Sequence, residues 1–198
     1  MAVDNSPTFD TYMLGVSHNL NTTWQVGGDV RYFNLSAPPS SPTITTILGT
    51  GATLMYTLQT IANGLLRQRD LSVLSLSYLD SETYRGESLS ITHRMLFQDR
   101  WTLDLALNYY LQQGSPLLST VDPGTGPETH TIETDSSRIT PMIRIGYRWR
   151  KNLTFETEFG IEKSVDHVVD TNLTAGGTAV TDQDTSRRFF MLGYRWDF

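Results

Sequence analysis

The stretch "DRWTLDLALNYYLQQ", residues 99–113, decides the fold. Trp101, Leu103, Leu105, Leu107, Tyr109 and Leu111 occupy odd positions, while Thr102, Asp104, Ala106, Asn108, Tyr110 and Gln112 occupy even ones. A period of two is the geometry of a β-strand, whose successive side chains point to opposite faces. This strand has one apolar and one polar face and lies between two environments. The alternation alone leaves open which is which. A soluble sandwich turns its apolar face to a core, whereas a closed sheet immersed in hydrocarbon turns it outward.

The same reading repeats eight times along the chain. Tyr12, Leu14, Val16 and His18 share a face, as do Trp24, Val26, Gly28, Val30 and Tyr32. Leu54, Tyr56, Leu58, Ala62 and Leu66 form the third apolar stripe, and Leu74, Leu76 and Tyr78 the fourth and least distinct. Leu89, Ile91, Met95 and Phe97 follow, then Ile139, Ile143, Ile145, Tyr147 and Trp149 beyond the quoted strand. Leu153, Phe155, Phe159 and Ile161 make the eighth, and Phe190, Leu192, Tyr194, Trp196 and Phe198 the last. No segment keeps a 3.6-residue period over a helix length, so residues 1–198 read as one all-β domain.

Short and long connections alternate. Three-residue turns are expected at Asn19-Leu20-Asn21, Gln68-Arg69-Asp70, Gln98-Asp99-Arg100 and Arg150-Lys151-Asn152, where Asn and Asp tolerate left-handed backbone. That turn length pairs Phe97 with Trp101, Trp149 with Leu153, Val16 with Trp24 and Leu66 with Ser72, apolar against apolar in nearly every rung. The long connections, 36–52, 80–87, 114–136 and 164–185, are rich in Pro, Gly, Ser, Thr and Asp. Four tight turns at one end and four long loops at the other is the layout of an up-and-down membrane barrel.

The totals exclude several classes. A formal charge of −6 leaves no basic footprint for nucleic acid. Without cysteine there is no disulfide framework or thiolate metal site. No run of 18 apolar residues encodes a transmembrane helix. "MAVDNSPTFD" has no apolar leader core, so an exported chain is expected to have lost its leader or to be part of something longer.

Three features favour an outward apolar face. Trp24, Trp101, Trp149 and Trp196 lie near the short-turn end, where an interfacial ring is at home. The other face carries Asp29, Arg31, Arg94, Asp104, Arg144, Arg148, Glu156, Glu158, Glu162 and Arg195. The turn register puts Arg94 opposite Asp104 and Arg144 opposite Glu158, pairs that favour each other across strands. Such ions fill a narrow barrel as a plug or line a wider one as a channel. Third, the chain ends "GYRWDF".

In that ending the chain resembles Gram-negative outer-membrane β-barrel proteins, which commonly close on an amphipathic strand with a terminal Phe. Phe190, Leu192, Tyr194, Trp196 and Phe198 match the pattern. The resemblance extends to the architecture of nearly the whole chain. It implies an antiparallel barrel of about 8–10 strands in the bacterial outer membrane, with the lipid bilayer and the barrel assembly machinery as partners. The function implied is a porin-like membrane anchor, pore or export conduit, without catalysis, cofactor or metal.

Nine strands depart from the even number of single-chain bacterial barrels. Either residues 42–52 hide a strand or the fourth is misread, or the chain is the C-terminal portion of a larger barrel joined by further segments or subunits, or a parallel pair closes it. Pro141 inside a strand cannot donate to the ladder, and His93 falls on the apolar face. An outer-membrane enzyme is the alternative. Its acid–base or metal site would gather Asp166, His167 and Asp170 from one long loop with Glu128, His130, Glu133 and Asp135 from another. A soluble β-barrel enclosing an apolar ligand is the third reading.

Overall fold

The computed structural model describes residues 8–36, 51–81, 85–114, 130–172 and 177–196. They form nine antiparallel strands in one sheet and no helix. The strands are β1 (Thr8–Asn19), β2 (Trp24–Ser36), β3 (Gly51–Asn63), β4 (Leu71–Ser81), β5 (Arg85–Phe97), β6 (Trp101–Gln113), β7 (His130–Arg150), β8 (Leu153–Asn172) and β9 (Gly177–Trp196). Spatial order equals chain order, so every connection joins neighbours. The sheet is not closed: β1 and β9 are its edges, and they run in the same direction. Residues 42–50 lie outside the described set, while Gly51 and Ala52 begin β3.

One of the expected turns fits the sequence reading. Gln98 and Asp99 take positive φ (49° and 56°), and the Arg100 amide donates to the Phe97 carbonyl at 3.2 Å, which pairs Phe97 with Trp101. The β7–β8 hairpin keeps the expected register at Gly146–Glu156 and Arg148–Thr154, but a bulge then sets Arg150, not Trp149, against Leu153, so its turn is the two residues Lys151 and Asn152. The other two differ. Asn21 Oδ1 accepts the amides of Thr23 and Trp24, both at 2.8 Å, an Asx-type closure that consumes the donors a tighter turn would use. Val16 therefore faces Gly28, not Trp24.

At the second difference β3 ends at Asn63, and Ala62, not Leu66, pairs with Ser72. Residues 64–70 form a loop entered through Gly64 at φ 71°. The Asp70 carboxylate holds it by accepting the amides of Leu66 and Arg67 at 2.7 and 2.8 Å. Each difference moves a partner by four positions, Val16's from 24 to 28 and Ser72's from 66 to 62. An even slip leaves every side chain on its face, so the partition into two faces survives.

β1–β6 are 11–13 residues long, whereas β7, β8 and β9 are 21, 20 and 20. At ~3.3 Å per residue and ~45° of tilt, thirteen residues climb about 30 Å, the thickness of a hydrocarbon core. The last three strands continue roughly another 15 Å at the same pitch. Much of the expected loops 114–136 and 164–185 is thus strand. Pro141 lies within β7, and the β7–β8 ladder skips Thr140 and Pro141 between the rungs Ile139–Lys163 and Met142–Gly160.

No conventional core exists among the described residues: Ala62, at 2% exposure, is the one buried hydrophobic residue. The large apolar side chains are exposed on one face instead, Leu14, Val16, Leu58, Leu76, Ile143, Phe159, Phe190 and Leu192 among them. Along β3, apolar Leu54, Tyr56 and Leu58 are exposed while Thr53, Met55 and Thr57 on the opposite face are half-buried.

Candidate functional site

The face opposite the apolar one holds the ionic residues. Registers set Arg94 against Asp104, Asp104 against Arg144 and Arg144 against Glu158, so charges of alternating sign cross four strands, β5 to β8, in one row. Arg94 grips Asp104 through two bonds, Nε to Oδ1 at 2.7 Å and Nη2 to Oδ2 at 2.9 Å, the two-pronged geometry that suits guanidinium to carboxylate. Arg144 Nη2 lies 2.6 Å from Glu158 Oε2, and Glu158 is 8% exposed. Burying a carboxylate without a partner is costly, and Arg144 supplies the partner.

The remaining predicted ions fall on the same face. Asp29 and Arg31 pair along one strand at 2.7 Å. Glu156 meets Arg195 at 3.7 Å, and Glu162 meets Arg138, which the sequence reading left out of the set, at 3.9 Å. Arg148 has no ion pair among the described residues; it lines a cavity with Arg100, whose carbonyl accepts the Arg148 amide at 2.7 Å. At Gly146 an added Cβ would collide with the Thr102 hydroxyl, and at Gly160 with the Phe189 ring. Both glycines are thus sites of close approach across the ladder.

The exposed face is graded. One row reads Phe97, Trp101, Tyr147, Phe155 and Tyr194 across β5–β9 at the short-turn end, with the Trp101 and Tyr147 rings 4.5 Å apart. A second aromatic line, not foreseen from sequence, runs through Tyr12 and Tyr32 (6.1 Å) and Tyr56 and Tyr78 (6.4 Å) to Tyr109. Between them lie aliphatic rungs such as Leu74–Ile91–Leu107. Trp101 and Tyr109 are eight residues apart on β6, about 27 Å along the strand. An open apolar groove of about 780 Å³, lined by Leu14, Val16, Gly28, Leu58 and Leu76, crosses this face. On β9, Phe190, Leu192, Tyr194 and Trp196 point to it and are exposed; Phe198 lies outside the described residues.

His93 is on the apolar face, as its position requires, but is not bare. Its Nδ1 is 2.7 Å from the Ser72 hydroxyl and its Nε2 3.8 Å from Asp70 Oδ2. His93 Nε2 and Asp70 Oδ1 are buried without a hydrogen-bond partner. Burial pushes the Asp70 carboxyl up, but bonds from the backbone amides of Arg67, Leu66 and Leu65, together with His93, bring it below its ordinary value.

The residues expected in catalytic loops are placed differently. Glu133, Asp135, Asp166, His167 and Asp170 lie in the upper parts of β7 and β8, and His130 begins β7; Glu128 is outside the described residues. Asp135 faces His167 across the ladder, but its Oδ1 accepts the Gly114 amide. His167 Nδ1 lies 2.5 Å from Asp182 of β9, both well exposed. Among the described residues no group of three or more His, Cys, Asp or Glu can hold a metal. No known family, curated protein or solved structure matches the chain.

Proposed function

We propose that this sheet is wall of a membrane β-barrel, with its apolar face against lipid and its ionic face against water, serving as an anchor, pore or export conduit of the bacterial outer membrane. The observation that carries the reading is the partition of the two faces: large exposed apolar side chains fill one between two aromatic lines, and paired ions fill the other. Eight spacings of ~4.8 Å and a height of ~25 Å make an apolar face of about 950 Å² in projection. The largest apolar patch on a typical soluble monomer is roughly 300–600 Å². A soluble barrel holding an apolar ligand needs the opposite arrangement.

A wall in lipid leaves no edge unpaired. Because β1 and β9 run the same way, they meet each other only in parallel, and antiparallel closure takes an odd number of further strands. The His167–Asp182 contact is the one observation favouring an acid–base site; neither a metal group nor a nucleophile accompanies it among the contacts described. The test is flotation of the full chain with phosphatidylcholine vesicles, followed by planar-bilayer recording. Co-flotation resistant to carbonate extraction is expected. Discrete conductance then identifies a pore, and silence from inserted protein an anchor or plug. A monomer that stays in aqueous buffer without detergent overturns the reading.

A further inference from the structure

We infer that the cavity at the short-turn end of the ionic face is a binding site for a small oxyanion of the phosphate or sulfate class, held by Arg100 and Arg148. The cavity, about 190 Å³, is lined by Arg94, Arg100, Arg144, Arg148 and Arg195, by the hydroxyl residues Thr102 and Thr154, and by the carboxylates Asp104 and Glu156. At ~30 Å³ per liquid water its volume corresponds to about six waters, room for a tetrahedral anion that keeps part of its hydration. Gly146 also borders the space.

Charge sets the sign. Arg94 is committed to Asp104, Arg144 to Glu158 and Arg195 to Glu156. Arg100 and Arg148 have no ion pair among the described residues, so two guanidinium charges remain at the rim. Their backbones are tied by the Arg148 amide to the Arg100 carbonyl, which brings the β5–β6 turn and β7 together at one mouth, where both side chains line the cavity. Arginine is more weakly hydrated than lysine and presents a planar fork of donors matched to oxyanions. The nearby carboxylates oppose an anion, and Glu156, whose contact with Arg195 is long at 3.7 Å, is the weakest held.

This inference goes beyond the membrane reading and does not rest on it, because the sheet builds the cavity whether or not the chain is in lipid. The test is isothermal titration of the folded full chain, in detergent or in buffer, with inorganic phosphate and with sulfate at low ionic strength. Saturable binding is expected. Arg100→Gln and Arg148→Gln each weaken it about tenfold or more, the loss of one charge-assisted hydrogen bond. Glu156→Gln tightens it. Arg188→Gln, which removes the same charge from the other face, leaves it within about twofold, since Arg188 is not among the residues that line the cavity. Strand content and the unfolding midpoint are measured for each variant, so that a misfolded one is not scored, and the Glu156→Gln gain is a readout that misfolding does not mimic. No saturable binding of either ion, or equal weakening by Arg188→Gln and Arg148→Gln, overturns the site. Binding of a short-chain phosphatidic acid without binding of free phosphate overturns the free-ion assignment in favour of a lipid headgroup.

Discussion

Leu105→Arg separates a lipid-facing sheet from a water-facing one. Leu105 is exposed on β6, four residues from Trp101 and four from Tyr109, which puts it about 13 Å along the strand from each aromatic line. If the lines mark the two interfaces, residue 105 is at mid-depth, where an arginine costs about 2–4 kcal/mol. That is a fall of roughly 30- to 700-fold in the folding equilibrium. Tyr109→Arg, at the interface, costs about 0–1 kcal/mol for the charge itself. On a sheet bathed in water both changes stay near ±0.5 kcal/mol, as for other exposed sites. The assay is urea-dependent folding into phosphatidylcholine vesicles, followed by tryptophan fluorescence. A cost at Leu105 below about 0.5 kcal/mol, or one equal to that at Tyr109, refutes the reasoning.

Other consequences follow from individual contacts. Arg144→Ala strands the buried Glu158 and lowers stability by about 1–3 kcal/mol; adding Glu158→Ala recovers part of the loss in a double-mutant cycle. Gly160→Ala pushes the Phe189 ring aside at about 1 kcal/mol, the lower end for overpacking because the obstacle is a ring tip, and Phe189→Ala relieves it when the two are combined. Asp70 has a carboxyl pKa lowered below 3.8, so its hold on loop 64–70 is present above the unfolded value and is lost as pH falls through the folded one. The protection factors of the Leu66 and Arg67 amides against hydrogen exchange are therefore expected to fall once the pH drops below the ordinary carboxyl range of about 4, and in Asp70→Asn to be low at every pH.

Much of this architecture is legible in residue parity. Thr102–Gln112 and its neighbours assign each side chain to a face without any knowledge of turns, and the rungs Arg94–Asp104 and Arg144–Glu158 follow from assuming three-residue turns, which holds at 98–100, while at the β7–β8 hairpin a bulge with a two-residue turn leaves the same register. Parity is blind to even slips, so nothing in the pattern separates Leu66 from Ala62 as the partner of Ser72. That choice is made by Gly64 and by the Asp70 carboxylate capturing two amides. The tyrosine line from Tyr12 to Tyr109 needs registers accumulated over six strands, which no local window contains. The upper halves of β7–β9 are rich in Thr, Ser and Asp and have a loop's composition; backbone pairing extends them regardless of side chain. Parity puts Arg148 on the ionic face, but its lack of a carboxylate partner among the described residues depends on which strand turns beside it.

The most direct measurement uses the absence of cysteine from the chain. Single cysteines at each position from Leu103 to Asn108, labelled with an environment-sensitive fluorophore after reconstitution, are exposed in turn to brominated lipids and to a water-soluble quencher. With the apolar face in hydrocarbon, 103, 105 and 107 are quenched from the lipid, and 104, 106 and 108 from water or not at all. Uniform quenching along β6, or the opposite alternation, contradicts the membrane wall.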